Sequence, residues 1–250
     1  MCGASVQIQT ACYTDAMLII GHRGAAGIKP ENTIAGLRAA IESGADMVEF
    51  DVRLTKDKVP VLSHDFHMLR SHNSAAIIRQ LTLAELQKRT AGSDKPLVTL
   101  DAALKETFGK ILVNIEIKQS KSASAIYPIV TQFARKKSDW QLLIFSSFSP
   151  AALGRMRELA PHAQLALLHH LNPFLFVRHM RKLQLAAVGF HRLNVNKFSL
   201  NVARRLGIFT YAYTVNRPDA LHRLAEQGFD GVVTDRPDIL VRARNKIEQL

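Results

Sequence analysis

The chain has 250 residues, 47% hydrophobic and 22% charged, a composition that suits a folded globular protein with a sizeable core and excludes a disordered one. Its 33 Lys and Arg against 21 Asp and Glu give a net charge of +12, which suits an anionic substrate or a contact with a membrane surface. The basic residues are scattered, without an aromatic-interleaved stripe, so nucleic acid is not the expected partner.

The two cysteines, Cys2 and Cys12, lie outside any core pattern and suggest a reducing compartment rather than a disulfide framework. Residues 1–15 lack the cationic start and apolar run of a secretory signal, and no run approaches the roughly 18 apolar residues of a membrane span. A cytoplasmic location is therefore expected. Residues 1–16 fit nothing downstream and are expected to form a disordered tail ahead of one domain over 17–250.

A short apolar strand at 18–21 leads into a loop with His22, Arg23 and Gly24, then a helix over 33–43 stopped by Gly44. The strand at 47–53 carries Glu49 and Asp51, which share a face because side chains alternate along a strand. Two carboxylates side by side in an apolar strand repel each other and resist desolvation, so something positive belongs between them. A turn at 56–58 sends the chain back as a hairpin; pairing Thr55 with Val59 brings His64 beside Asp51. Residues 65–96 are irregular and polar, with a helical piece at 82–89, and read as an insertion after the second strand.

Strand and helix then alternate: helix 99–108, strand 111–117, helix 122–136, strand 142–145, helix 150–159 capped by Ser149, strand 164–168, helix 173–183. Strand 187–190, helix 199–206, strand 208–213, helix 217–227, strand 231–234 and helix 237–247 complete the chain. Leaving out the hairpin return, eight strands precede helices, which predicts an α/β fold of the (β/α)8 TIM-type barrel class with a small insertion. A doubly wound open sheet is the alternative, but the turn after its first strand is usually glycine-rich, unlike His22 to Gly24.

A barrel of this kind carries its site at the C-terminal ends of the strands. That places His22, Glu49, Asp51, His64, Glu116 and Lys118 on one mouth. Three carboxylates offer a hard divalent cation, Mg2+ or Ca2+, an oxygen shell. Lys118 and Arg23 suit phosphate oxygens, and two imidazoles suit proton transfer. Together they point to metal-assisted cleavage of a phosphodiester.

The set His22-Arg23-Gly24, Glu31-Asn32-Thr33, Glu49 with Asp51, Thr55-Lys56-Asp57, His64-Asp65, Asn114 to Lys118, Ser146-Ser147-Phe148, Thr214-Val215-Asn216 and Asp230 to Pro237 resembles, in order, the motifs of the glycerophosphodiester phosphodiesterase family. The resemblance covers about Leu18 to Leu240. It implies hydrolysis of small glycerophosphodiesters to glycerol 3-phosphate and an alcohol. It also implies metal ligation by Glu49, Asp51 and Glu116, an acid and base pair of His22 and His64, and phosphate contacts by Arg23 and Lys118. Glu31 and Asn32 match residues that line or brace the family's site.

Two departures bear on substrate: Tyr213 stands where the family usually has tryptophan, and Leu69 to Asn73 differ from its usual pattern after the histidine. Phe174 and Leu175, in the loop after the fifth barrel strand, suggest an apolar approach that with the basic surface would suit a lysophospholipid and a peripheral membrane contact. A lysophospholipase D-type enzyme and a non-catalytic lipid-binding barrel are the alternatives.

Overall fold

A computed structural model describes residues 17–169 and 175–247. The expected tail at 1–16 and Phe174 lie outside the described residues, as does any account of the Leu175 side chain. The first elements are β1 (Leu18–Gly21), α1 (Ile34–Glu42), β2 (Met47–Leu54) and β3 (Pro60–Leu62). Three helices follow, α2 (Leu69–His72), α3 (Leu83–Thr90) and α4 (Leu100–Thr107). Strict alternation then runs through β4 (Leu112–Ile117), α5 (Ala123–Phe133), β5 (Leu143–Ser147), α6 (Pro150–Leu159), β6 (Gln164–His169) and α7 (Leu175–Leu183). It ends with β7 (Ala187–His191), α8 (Lys197–Arg205), β8 (Phe209–Tyr213), α9 (Pro218–Glu226), β9 (Gly231–Thr234) and α10 (Pro237–Ile247).

The strands pair in the order β1, β9, β8, β7, β6, β5, β4, β2, and β2 returns to β1, so eight parallel strands close into a barrel. The expected (β/α)8 class is the observed one. β3 is the antiparallel return of the hairpin: Val52 opposes Leu62, the Thr55 N–H donates to the Val59 carbonyl at 3.1 Å, and the Ser63 N–H donates to the Asp51 carbonyl at 3.0 Å.

The alternation along β2 is the device that separates core from site. Val48, Phe50 and Val52 pack outward under the helices, while Met47 joins Ile20, Ile144, Ala166, Leu168, Ala187, Tyr211 and Val233 inside the barrel. Glu49 and Asp51 share the inward face with Met47, one and two layers nearer the mouth. Gly189 leaves room for an inner layer: a Cβ there would lie 2.8 Å from the Tyr211 ring.

Boundaries differ from the sequence-based expectation where polar side chains capture backbone groups. The helix after β4 stops at Phe133 because Asp139 Oδ2 accepts the N–H groups of Arg135 and Lys136, at 2.9 and 2.8 Å. α8 starts at Lys197, two residues early, because Asn196 accepts from the N–H groups of Phe198 and Ser199. The segment from 65 to 96 reads as polar, yet Met68, Ile78 and Leu86 bury against Val61 in a small core of its own. α3 is held by a capping box between Thr82 and Glu85.

Candidate active site

Register brings the acids together. β2 and β4 pair in parallel with Glu49 opposite Asn114 and Asp51 opposite Glu116, and Glu116 in turn opposes Ser146 on β5. Glu49, Asp51 and Glu116 thus converge, with one carboxylate oxygen from each within 4.8 Å of the others; among the described residues no other acidic or His/Cys cluster does this. All three are buried, Asp51 to 1% exposure. Burial beside Asp51 and Glu116 raises the Glu49 carboxyl well above the usual range, and burial next to Asp51 raises Glu116 despite Lys118. Burial pushes Asp51 upward too, but Lys118 and Arg23 outweigh it and hold that carboxyl low.

Two cations are built into the same floor. Lys118 Nζ lies 2.7 Å from Asp51 Oδ1 and also bonds Glu116, and Arg23 Nε lies 3.2 Å from Asp51 Oδ2. Arg23 stands in the left-handed region, φ 49°, and its N–H donates to Glu49 Oε2 at 2.8 Å. The loop can turn so sharply because Gly24 packs onto α1, where a Cβ would sit 2.5 Å from the Gly36 carbonyl carbon. Glu31 receives Arg23 Nη1 at 2.9 Å and a further bond from Arg70. Asn32 lies behind Asp51, donating to Oδ2 at 2.9 Å and accepting the Asp51 N–H at 3.2 Å. Asn32 accordingly braces Asp51, and Glu31 braces Arg23.

Glu49 Oε1 is buried without a hydrogen-bond partner. An orphaned anionic oxygen amid three convergent carboxylates is what a hard divalent cation satisfies, so the donor set fits one.

The imidazoles flank this floor, each held by a carboxylate. His22 Nδ1 donates to Asp235 Oδ1 at 2.6 Å, and His64 Nδ1 donates to Asp65 Oδ1 at 2.7 Å. Asp235 is itself fixed by Asn216 Nδ2 at 2.7 Å, and Asp65 by Arg70 Nε at 2.7 Å. Arg53 donates twice to the His64 carbonyl, at 2.8 and 2.6 Å, and pins the hairpin return. Burial lowers the His64 pKa, with Lys118 and Arg23 adding to the shift against the pull of Asp51. Asp235, Asp65 and Asn216 have no role in the sequence-based site. Asp235 follows the last strand within a quoted motif, and barrel closure beside β1 is the signal that would have placed it.

His22, Arg23, Glu49, His64, Glu116 and Lys118 all line one cleft in the mouth. Its far side is aromatic and carries no carboxylate, with Phe148, Tyr211 and Tyr213 beside Arg192, the Tyr213 ring lying edge-on to Phe148 at 6.2 Å. The Tyr213 hydroxyl donates to the His169 carbonyl. Asp51 is not among the residues that line the cleft, and its Oδ1 is paired with Lys118.

The family model described as the glycerophosphoryl diester phosphodiesterase family matches residues 22–239. A glycerophosphodiester phosphodiesterase of Caldanaerobacter subterraneus subsp. tengcongensis is 33% identical over 246 residues, covering 92% of this chain and 98% of that one. Among solved structures, an Oleispira antarctica phosphodiesterase in complex with the product sn-glycerol-3-phosphate superposes with a TM-score of 0.81 at 25% identity, covering 92% of this chain and 97% of its own. The Thermotoga maritima glycerophosphodiester phosphodiesterase gives 0.79 at 28% identity, over 93% and 100%. With fold, mouth and sequence in agreement along nearly the whole chain, this protein belongs to the glycerophosphoryl diester phosphodiesterase family and is an enzyme of that class.

Proposed function

We propose that the protein hydrolyses small glycerophosphodiesters to glycerol 3-phosphate and an alcohol in a reaction that depends on a divalent cation. One observation carries the reading: two imidazoles, each backed at Nδ1 by a carboxylate, line the same cleft as Glu49 and Glu116. The product described with the Oleispira antarctica relative supports the substrate class.

Glu49, Asp51 and Glu116 would hold the ion, with Mg2+ favoured over Ca2+ because Mg2+ keeps open positions for water and phosphate oxygens. When bound, the ion supplies positive charge to the phosphate and to the attacking oxygen. Lys118 and Arg23 place cationic donors at the floor, where negative charge builds up on the phosphate. With Nδ1 committed to a carboxylate, each imidazole works through Nε2: the neutral ring takes a proton from the attacking water as its oxygen bonds to phosphorus, and the protonated ring gives one to the leaving alkoxide as the P–O bond to the alcohol breaks. Asp235 and Asp65 fix the orientation of the rings.

The test is glycerol 3-phosphate release from glycerophosphocholine after EDTA treatment, with Mg2+ or Ca2+ restored. Release is expected to vanish with EDTA and return with the metal; release indifferent to EDTA would remove the cation from the mechanism.

A further inference from the structure

The exposed large apolar side chains of the described residues are unevenly placed. Six are exposed: Ile28, Phe66, Leu69, Leu193, Phe198 and Leu206, from 38% to 75%. Singly exposed apolar residues are ordinary on any protein surface, so position decides whether they mean anything. Ile28 lies in the loop after β1, Phe66 and Leu69 follow β3, and Leu193 and Phe198 lie between β7 and the first turn of α8. All five are at the C-terminal end of the strands, around the mouth. Leu206 alone is at the opposite end, after α8.

Basic side chains stand beside these tips. Ile28 is followed by exposed Lys29; Arg70 after Leu69 is paired with Glu31 and Asp65, whereas Leu193 and Phe198 are preceded by exposed Arg192 and Lys197. The carboxylates on the first two of these segments, Glu31 and Asp65, are already taken up by Arg23, Arg70 and His64. Asp235, after β9, and Asp219 and Asp238, in the first turns of α9 and α10, are likewise ion-paired. The whole chain adds its charge of +12.

We propose that the mouth end docks on an anionic lipid bilayer, its apolar tips entering the headgroup region and its lysines and arginines meeting lipid phosphates. The tips stand on three separate segments with the cleft among them. A protein partner needs a contiguous, complementary patch, whereas a fluid interface accepts dispersed apolar side chains and rewards basic neighbours. Docking of this kind presents the cleft to the surface and is independent of which diester is cleaved.

The experiment is co-sedimentation of the full chain with phosphatidylcholine vesicles, with and without about one third phosphatidylglycerol. Binding to the anionic vesicles alone is expected, weakened by salt. Phe66→Ser combined with Leu193→Ser should weaken it at least about tenfold, Leu206→Ser should leave it intact, and both variants should keep wild-type turnover of soluble glycerophosphocholine. Absent binding, equal binding to neutral vesicles, or a double variant that binds like wild type would overturn the proposal. So would a concentration-dependent dimer in light scattering that the double variant abolishes, which would assign the tips to a second copy. Loss of diester turnover in the wild type, with docking intact, would defeat only the proposed reaction.

Discussion

The two walls of the mouth are built differently. The wall from β1, β2, the hairpin return and β4 carries His22, Arg23, Glu49, His64, Glu116 and Lys118, all within the first 118 residues. The wall from β5, β7 and β8 carries Ser146, Phe148, His191, Arg192, Tyr211 and Tyr213 and not one carboxylate. Neighbouring staves in register can concentrate charge only if opposite signs interleave, as Lys118 does between Asp51 and Glu116. The aromatic wall needs no such balance, so it is free to set the shape of the space beside the phosphate. Under the proposed reaction the first wall decides turnover and the second decides which alcohol fits.

Substitutions separate the two. Asp51→Asn should lower turnover by about a thousandfold or more at saturating Mg2+, since it removes a ligand and the counter-charge of Lys118 and Arg23 together. Isothermal titration with Mg2+ checks the cause, because binding should weaken in parallel. His22→Ala should cost at least about a hundredfold in kcat, and Asp235→Asn about tenfold, if the carboxylate only orients the ring. Steady-state kinetics that show equal losses would make Asp235 more than a brace.

Behind the aromatic wall, acid should act on stability. His169 is buried between Phe176 and Phe190, its ring nitrogens lack hydrogen-bond partners among the described residues, and burial lowers its pKa to about 4. An imidazole that titrates lower in the folded than in the unfolded chain leaves stability intact above about pH 6.5; the unfolded state then gains protons first, and stability falls as pH drops towards 4. His169→Phe should flatten that slope, with a difference from wild type of about 2 kcal/mol between pH 7 and pH 5 in urea unfolding. The smallest effect belongs to Tyr213→Phe, which removes one hydrogen bond to the His169 carbonyl. It should cost about 1 kcal/mol in stability and leave kcat within about threefold, with any change appearing in KM between alcohols. A large fall in kcat would move Tyr213 to the reactive side.

Much of the charged wall is legible in the chain because its logic is local. Glu49 and Asp51, like Glu116 and Lys118, are two residues apart, and an extended strand puts such pairs on one face whatever surrounds them. His64, thirteen positions from Asp51, is reached through a hairpin whose turn and register follow from the residues between them. The polar look of residues 65 to 96 hides its small core, because Met68, Ile78 and Leu86 are too widely spaced to show a period.

The sequence by itself determined the eightfold strand and helix alternation, the acids on the inner face and the family, since period, caps and motif order need no distant partner. Only the tertiary structure decided that Asp235 stands against His22 across 213 positions, that Asn32 holds one oxygen of Asp51, and that Lys118 pairs with the other. The first contact exists because the last strand pairs with the first, and the other two because β2 lies between β1 and β4; closure of a ring is a property of the whole set of strands that no single segment encodes.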